Sequence, residues 1–383
     1  MSSTAGPVRI LHCHSTFAPG GKELRSVALM NALGGWAEHA IVSAEPEQTG
    51  ARAHIDRAVA VRFLPEFPSL KGLPTPGRLV AIAKAMKGYD LVLTYNWGAM
   101  DAVMAHTVFG AAFDLPPLIH HEDGFNEDEA ASLKTRRNVY RRIALGRSHA
   151  LVVPSRTLET IARERWNVPA NRIVRIANGI ETGAFGRKPR PGAFRVVKRE
   201  GECWIGTLAG LRAVKQLPRL VEACANLPEN WHLVIVGDGP ERDAIRTTAE
   251  ALEVSHRVHL PGAHPRPHEV IGLFDIFALS SRSEQFPLSV VEAMAAGLPV
   301  AAPDVGDVKE ILAEANRPYV AVPGDTVALA AVLGELAEDE GLRAAIGKAN
   351  RVKARANYDV SAMVDAYRDL YSGALGGRAG GLA

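Results

Sequence analysis

The sequence predicts an α/β fold built from two doubly wound domains. Short apolar runs alternate with helical patterns along nearly all of its 383 residues, and this alternation is typical of a parallel sheet with helices on both faces. A chain of this length suits two domains of ordinary size. A segment rich in Gly, Pro and basic residues, 183–197, interrupts the alternation and predicts an interdomain linker. We therefore expect a first domain over 1–190 and a second over 191–360.

The first half begins with an apolar run at 8–12, which predicts the first strand. Gly20 and Gly21 follow it, and 23–33 has the apolar spacing of a helix. The same succession of an apolar run, polar or Gly-rich residues and a helical stretch then recurs. The further strands predicted in this half lie at 40–43, 91–94, 118–119 and 150–153.

The alternation starts again after the linker. Helical spacing occurs at 217–226, 241–252 and 289–296, and a long helical pattern from 361 to about 375 closes the chain. Ligands of doubly wound sheets bind at the carboxyl ends of the strands, so we expect functional residues just after strands. The strands predicted in this half lie at 204–206, 233–236, 258–260, 276–279, 299–302 and 319–322.

The composition fits packed cores and a reducing compartment. Hydrophobic residues make up 47% of the chain and charged residues 22%, which excludes a disordered, collagen-like or coiled-coil chain. The three cysteines, Cys13, Cys203 and Cys224, are scattered, so neither a disulfide framework nor a zinc cluster is indicated. There is no apolar run of about 18 residues and no signal-peptide pattern. These features predict a cytoplasmic protein.

Charge is distributed unevenly along the chain. Residues 1–190 contain 24 Lys and Arg against 17 Asp and Glu, whereas 191–383 contain 20 against 25. A basic half indicates an anionic partner or surface. Its densest run, 134–147, has six basic residues and no acidic one. On a helix this run would suit an anionic membrane surface or an anionic substrate, and an ordinary solvated helix face is the alternative.

The most specific segment, 281–300, reads SRSEQFPLSVVEAMAAGLPV. Its loop holds Glu284, and a helix is predicted to start near Leu288 or Ser289, with Ser289 as the candidate N-cap and Glu292 on the first turn. The free N–H groups at such a helix start favour an anion such as phosphate. Carboxylates beside a phosphate are suited to accept hydrogen bonds from the hydroxyls of a ribose and a hexose. Solvated glutamates on an amphipathic helix are the alternative.

This segment resembles the motif of the family 4 glycosyltransferases, which are retaining enzymes of the GT-B fold, and the resemblance extends over nearly the whole chain. It implies that Glu284 binds hydroxyls of the donor sugar and that Glu292 binds the ribose. It also implies that backbone groups around Phe286, Pro287 and Leu288 approach the sugar and phosphate, although Pro287 has no N–H to donate.

A basic loop in the second half extends the resemblance. Residues 206–215, GTLAGLRAVK, resemble the family's loop that carries Arg and Lys for the diphosphate. The family commonly places its Arg five or six residues before the Lys, where this chain has Gly210 and Ala209. Arg212 lies three residues before Lys215 instead. The resemblance implies that Arg212 and Lys215 neutralise the leaving diphosphate, and a solvated basic pair is the alternative.

Three turns agree with the same family. Residues 233–242 resemble its strand and G-D-G-P turn, and 178–181, NGIE, resemble the turn before its linker. Residues 304–310, DVGDVKE, resemble its D-V-G-G-x-x-E segment, with Asp307 in place of the second glycine. Asp is less free than Gly to adopt a positive φ.

Two segments of the first half also match. Residues 18–25, APGGKELR, resemble the family's P-x-G-G loop, which implies that Gly20 and Gly21 let backbone approach the donor or acceptor. Residues 94–98, TYNWG, could line the acceptor site, and core packing of the two aromatic side chains is the alternative.

Residues 118–125, LIHHEDGF, occupy the place of a family loop whose His contacts the donor sugar. By alignment with the apolar residue before it, this role falls to His120, with His121 as the alternative. A purely structural histidine is the other interpretation.

The resemblance implies transfer of a sugar from a UDP- or GDP-linked donor to an acceptor hydroxyl with retained configuration. The second domain would bind the donor and the first the acceptor, across a central cleft whose closure excludes water. Residues 361–383 would cross back to the first domain. The expected setting is synthesis of a cell-surface polysaccharide or glycolipid, with a sugar, lipid-linked or polysaccharide acceptor, at the inner face of a membrane and without nucleic acid.

No cofactor is expected beyond the nucleotide sugar, which is the donor substrate. Two cations and a helix end would replace a metal ion at the diphosphate. The alternatives are a nucleotide-sugar epimerase of the same fold and a non-catalytic sugar-binding or scaffold protein. A dinucleotide-dependent dehydrogenase is disfavoured because the G-x-G-x-x-G pattern is missing.

Overall fold

The chain forms two compact units. The first comprises the residues up to Ala177 and those from Met363 onward, and the second spans Asn178–Ala362. The computed structural model describes residues 6–125, 129, 133–186, 189 and 195–376.

The first unit is built on a parallel sheet. Its strands are β1 (Val8–His14), β2 (Ala37–Ser43), β3 (Ala60–Phe63), β4 (Leu91–Tyr95), β5 (Leu118–His121), β6 (Ala150–Val153) and β7 (Ile173–Arg175). Among the described residues they form one seven-stranded sheet in the order β3-β2-β1-β4-β5-β6-β7. The order reverses between β1 and β4, which makes the carboxyl ends of these two strands the place where ligands of such sheets bind.

Helices cover both faces of this sheet. They are α1 (Gly21–Leu33), α2 (Pro76–Ala85), α3 (Met100–Phe113), α4 (Thr135–Ala144) and α5 (Arg156–Glu164). Local sequence explains several of their ends. Ser155 caps α5 by accepting a hydrogen bond from the Leu158 N–H, Pro76 starts α2, and Asp114 ends α3 in the left-handed conformation. Among all the described residues, no helix is both long and apolar enough to cross a bilayer.

The helix α4 carries most of the basic run at 134–147, and one of its arginines is entirely buried. Arg141 forms ion pairs with Glu122 and Glu129, and its guanidinium lies over the rings of Trp97 and Trp166. A buried charge needs such partners to offset its lost hydration. The basic run therefore divides into an inner part that anchors α4 and an outer part that faces water.

The second unit repeats the doubly wound plan. Its strands are β8 (Cys203–Leu208), β9 (Trp231–Val236), β10 (Val258–Gly262), β11 (Ile276–Ala278), β12 (Val300–Pro303) and β13 (Val320–Ala321). In the described part of the chain they form a six-stranded parallel sheet in the order β10-β9-β8-β11-β12-β13. The order reverses between β8 and β11.

The helices of this unit are α6 (Thr182–Phe185), α7 (Leu217–Cys224), α8 (Arg242–Ala251), α9 (Leu288–Ala296), α10 (Val308–Ile311), α11 (Thr326–Glu338) and α12 (Glu340–Asn357). The last helix, α13 (Val360–Leu375), begins in the second unit and continues into the first. There Arg368 donates a hydrogen bond to the Ala32 carbonyl at 3.0 Å, and Tyr367 stacks on His121. The return of the C-terminal helix is therefore as expected.

The structure agrees with each predicted strand and helix, with shifts of a few residues at the ends. The sequence analysis did not assign the two edge strands of the first sheet, β3 and β7. Both are short, and the residues of β3 alternate between exposed and half-buried. An edge strand is unpaired on one side and partly exposed, so it lacks the continuous apolar run by which the inner strands were recognised.

The two units divide after residue 177, which is earlier than the predicted boundary at 190. Ile180 pairs with Asp359, and Thr182 donates a hydrogen bond to Asp359, so α6 belongs to the second unit. Part of the predicted linker, 187–188 and 190–194, lies outside the described residues.

Gly347 of α12 should be irreplaceable because this helix packs backbone to backbone against the end of α9. A Cβ at Gly347 would lie 2.0 Å from the Gly297 carbonyl oxygen. We expect Gly347→Ala to lower the free energy of unfolding by about 1–3 kcal/mol, measured by urea denaturation with fluorescence detection. The matched control is Gly334→Ala in α11, where an added Cβ would have no described atom within 4 Å apart from its chain neighbours and the backbone of its own helix, and a gain of up to about 1 kcal/mol is expected. Equal stability of the two variants would contradict this packing.

Candidate functional site

The loops at the carboxyl edge of the second sheet interlock. The Leu211 N–H donates to the Asp238 carbonyl at 2.9 Å, which ties the loop after β8 to the turn after β9. The Arg282 N–H donates to the Val214 carbonyl at 2.9 Å, which ties the same loop to the one after β11. These bonds bring the basic loop at 206–215 beside the start of the 281–300 segment, at the point where the strand order reverses.

Glycines permit this close approach. A Cβ on Gly237 would lie 1.8 Å from the Ala209 carbonyl oxygen, and one on Gly306 would lie 2.2 Å from the Glu284 carbonyl oxygen. Such separations are far below van der Waals contact, so any side chain would push the loops apart. The glycines of the G-D-G-P and D-V-G turns therefore hold the edge together.

Lys215 and Glu284, predicted as separate ligand contacts, form an ion pair. The Lys215 ammonium lies 2.5 Å from Glu284 Oε1, and both side chains are mostly buried. The Ser281 hydroxyl donates to the same carboxylate oxygen at 2.7 Å, and the Ser280 hydroxyl donates to the Lys215 carbonyl at 2.9 Å. The sequence analysis gave these two serines no role, although both lie within three residues of the end of β11. The cation and the carboxylate are thus held at one spot on the sheet edge.

The helix α9 begins next to this pair. Pro287, not Ser289, occupies the N-cap position, and Ser289 is the second residue of the helix, so the predicted cap is wrong. Proline fits there because the first turn leaves its N–H groups unpaired in any case. No side chain caps the helix start, so the N–H groups of Leu288 and Ser289 remain suited to an anion. Phe286 packs edge-on against Tyr358.

Glu292 lies on the second turn of α9 and not on the first as predicted, because the N-cap is Pro287 and not Ser289. Its carboxylate has no hydrogen-bond or ion-pair partner within the described part of the chain. Burial raises its pKa from 4.5 to about 7, since loss of hydration disfavours the charged form. A carboxylate whose pKa is strongly raised is a candidate ligand-site residue.

Two further predicted positions lie at the margins of this edge. Arg212 is exposed and precedes the 3-10 turn Ala213–Lys215, so its side chain is free to reach a ligand. Asp307 has a φ of −100° and starts α10, whereas Gly306 has a φ of +57°. In this chain only Gly306 has a positive φ, so Asp at 307 is not strained.

In the first unit, Gly20 and Gly21 lie where β1 passes into α1. Gly20 is the N-cap of α1, and a Cβ there would lie 2.8 Å from Glu23 Oε2. Lys22 pairs with Glu23. Burial lowers the pKa of Lys22 to about 8, against the opposing effect of Asp123. Gly20 and Gly21 therefore lie beside a cluster of positive and negative side chains at the carboxyl edge of the first sheet.

The rings of His120 and His121 are both fully buried in β5. His120 Nδ1 lies 2.8 Å from the Thr94 hydroxyl, and its Nε2 lies 3.9 Å from Glu122. His121 stacks on Tyr95 with ring centroids 4.6 Å apart, and burial lowers the pKa of His121 well below its ordinary value. The structure thus keeps both imidazoles inside the first unit, and His120 is paired with β4 on one side and β6 on the other.

The segment 94–98 follows β4 to the point where the strand order reverses. Tyr95 is entirely buried, and Trp97 is half-buried against Arg137 and Arg141. Both aromatic rings are therefore packed within the unit. Asn96, whose amide was one reason to expect this segment at the acceptor site, is half-buried beside the end of β5.

Within the described residues, no group of three or more His, Cys, Asp or Glu side chains is arranged to hold a metal ion. The polar groups described at the edge of the second sheet include two cations, two carboxylates, two serine hydroxyls and the start of a helix. Such a set suits an organic ligand that carries both phosphate and hydroxyl groups. The fold and the edge together define a doubly wound protein with a polar sheet edge suited to such a ligand.

Family models agree with this class. The chain matches the model of the glycosyl transferases group 1 over residues 193–353 and that of Glycosyltransferase Family 4 over residues 19–184. Together these two matches span most of the chain. It belongs to the family 4 glycosyltransferases.

Several curated relatives carry enzyme names of this kind. The N-acetyl-alpha-D-glucosaminyl L-malate synthase of Bacillus anthracis is 29% identical over 43% of this chain and 44% of its own length. The lipopolysaccharide core glycosyltransferase LpsD of Rhizobium meliloti is 29% identical over 47% and 48%. The 2-deoxystreptamine N-acetyl-D-glucosaminyltransferase of Streptomyces fradiae is 26% identical over 76% and 74%. The chain spans about half the length of the first two relatives.

Solved structures share the fold. HepE of Anabaena in complex with UDP superposes with a TM-score of 0.79 at 20% identity, covering 96% of this chain and all of that one. The lipopolysaccharide glycosyltransferase WaaG superposes with a TM-score of 0.71 at 19% identity, covering 95% and 100%. The predicted α/β fold class with two doubly wound sheets is confirmed.

Glu292 should make stability depend on pH. Because its pKa is higher in the folded chain than its ordinary 4.5, its contribution is complete below about pH 4.5 and is lost as the pH rises through about 7. Glu292→Gln removes this dependence. We expect the stability of the variant relative to the native chain to increase by on the order of 2 kcal/mol between pH 5 and pH 8, measured by urea denaturation. Parallel pH profiles would contradict the burial of this carboxyl.

Proposed function

We propose that the protein transfers a sugar from a nucleotide-diphosphate sugar to an acceptor hydroxyl with retained configuration. The observation that supports this most directly is the Lys215–Glu284 pair beside the uncapped start of α9. A diphosphate needs cations and N–H donors, whereas a sugar needs hydrogen-bond acceptors for its hydroxyls. The second unit offers both kinds of group within one edge.

Donor binding would exchange the partners of this pair. Diphosphate oxygens replace Glu284 at the Lys215 ammonium, and the N–H groups of Leu288 and Ser289 hold the same phosphates. Glu284, released from Lys215 and still held by Ser281, then accepts hydrogen bonds from hydroxyls of the sugar. Glu292, without a partner in the described chain, accepts a hydrogen bond from the ribose.

The reaction breaks the bond between the anomeric carbon and the diphosphate oxygen and forms a bond from that carbon to the acceptor oxygen. The acceptor proton passes to the leaving diphosphate. Lys215, exposed Arg212 and the helix start stabilise the charge that develops on the leaving group. With these groups in place, we propose that no metal ion is needed.

A uridine nucleotide is the first donor to test, because the similar HepE structures contain UDP, UDP and glucose, or UDP-glucose, and GDP is the second. The names of LpsD and WaaG refer to lipopolysaccharide synthesis. We propose a related role in cell-surface polysaccharide or glycolipid synthesis, with a lipid-linked or polysaccharide acceptor.

Substitutions of Lys215 and Glu284 test the two halves of the donor separately, because the first would bind the diphosphate and the second the sugar. Lys215→Met should weaken both UDP and UDP-glucose by about tenfold or more, since it removes a charged hydrogen bond to the diphosphate. Glu284→Gln should weaken UDP-glucose by about tenfold and leave UDP unchanged or tighter, because the lysine is no longer neutralised. Isothermal titration calorimetry measures each affinity.

Lys348→Met on the exposed surface of α12 is the matched control and should bind both ligands like the native chain. If Glu284→Gln weakens UDP as much as UDP-glucose, Glu284 does not contact the sugar. If the native chain binds neither UDP- nor GDP-sugars below about millimolar, the proposed function is wrong.

The outer face of α4 supports a location at the inner surface of a membrane. Arg136 and Arg142 point to solvent there, and Val139 and Ile143 between them are 52% and 54% exposed. Exposed cations interleaved with apolar side chains suit an anionic bilayer surface. The inner arginines of this helix form ion pairs within the first unit, so the proposed membrane contact depends on the outer ones.

Replacing both outer arginines tests this location. Arg136→Gln with Arg142→Gln should weaken sedimentation with phosphatidylglycerol vesicles by about tenfold or more, since each cation near the surface contributes about 1 kcal/mol. Lys84→Gln with Lys87→Gln removes the same charge from another exposed part of the first unit and should have little effect. Equal loss in both double variants, or binding that high salt does not reduce, would contradict a specific membrane face.

A further inference from the structure

The carboxyl edge of the first sheet contains a strained residue. Asn96 has φ 54° and ψ −172°, a combination that is unfavourable for every residue except glycine. Asn96 follows β4 at the point where the strand order reverses, which is where ligands of doubly wound sheets bind. Next to it, a Cβ on Gly98 would lie 2.2 Å from the Ser15 side chain, so the loops after β1 and β4 touch.

The strained conformation joins Asn96 to the loop after β5. Its N–H donates to the His121 carbonyl at 2.8 Å, and its side-chain oxygen accepts the Asp123 N–H at 2.7 Å. The amide oxygen is therefore occupied. The amide nitrogen, with two N–H groups, has no hydrogen-bond partner among the residues that the structure describes.

Asp123 is held from behind. Its two carboxylate oxygens accept hydrogen bonds from the two terminal nitrogens of Arg25, a bidentate pair. Arg25 is almost fully buried, and its guanidinium lies over the ring of Tyr367 in α13. The Asp123 side chain remains 14% exposed, and each of its oxygens keeps a second lone pair for another donor. It is the first acidic side chain after β5 to reach the surface, since Glu122 is buried with Arg141.

We propose that Asn96 and Asp123 together bind two neighbouring hydroxyl groups of a neutral sugar, the acceptor of the proposed transfer. The carboxylate accepts a hydrogen bond from one hydroxyl, and the amide N–H donates to the oxygen of the other. The Asn96–Asp123 hydrogen bond fixes the spacing of the two groups.

This inference rests on the proposed function, and its test distinguishes the two. The full-length chain is titrated with methyl α-D-glucopyranoside, methyl α-D-galactopyranoside and methyl α-D-mannopyranoside in the presence of UDP, and binding is followed by saturation-transfer difference NMR. UDP affinity is measured separately by calorimetry. If the native chain binds a glycoside but not UDP, the result counts against the proposed function. If it binds UDP but none of the three glycosides, the result counts against the sugar site.

Two variants remove one group each. Asp123→Asn keeps an oxygen for Arg25 and removes the carboxylate, and Asn96→Asp keeps the oxygen that accepts the Asp123 N–H and removes the amide donor. We expect each to weaken the best glycoside about tenfold while UDP affinity stays within about twofold. Asp114→Asn is the matched control, because Asp114 is exposed at the end of α3 and both residue types tolerate its positive φ. It should bind glycosides like the native chain.

A purely structural role would give a different result. If Asn96→Asp fails to fold, Asn96→Gly replaces it, since glycine accepts the backbone conformation without strain and also removes the amide. That variant should keep a melting temperature within about 3 °C of the native chain and still lose glycoside binding. Unchanged glycoside affinity in the folded variants, or no glycoside binding by the native chain up to about 50 mM, would overturn the proposal.

Discussion

Close backbone contact between loops is the constraint on which both sheet edges depend. Parallel strands bring all their carboxyl ends to one edge, and the loops that leave it have little room. The loops can approach because three positions are glycine, namely Gly237, Gly306 and Gly98. A Cβ at any of them would overlap a neighbouring loop. The polar side chains of the loops are then held within hydrogen-bond distance of one another.

Charges at these edges are arranged in opposite pairs. Lys215 faces Glu284 in the second unit, and Arg25 faces Asp123 in the first. A half-buried charge loses hydration, and an opposite charge offsets that loss until a ligand arrives. Glu292 has no partner in the described chain, and loss of hydration raises its pKa to about 7. An ion-paired side chain can exchange its partner for a ligand group, whereas a side chain without a partner can bind a ligand group with no exchange.

Much of the fold followed from local patterns. The inner strands are short apolar runs because both faces of a parallel sheet are covered, and the segment 281–300 carried the turn, the helix start and the carboxylates together. The exact cap of α9 did not follow, because Ser289 has a better intrinsic cap preference than Pro287 and only the path of the loop decides between them. The strands β3 and β7 did not follow either, since edge strands need little apolar sequence.

The sequence by itself determined the two doubly wound units, the family and the residue types at the edge of the second sheet, because these depend on periodicity and on motifs contiguous in the chain. Only the tertiary structure decided which side chains reach a surface. His120 and Asp123 lie three residues apart, yet the first is buried in a strand and the second emerges beyond its end. The register of β5 and the contact with Asn96 decide this difference, and both arise from strands distant in the sequence.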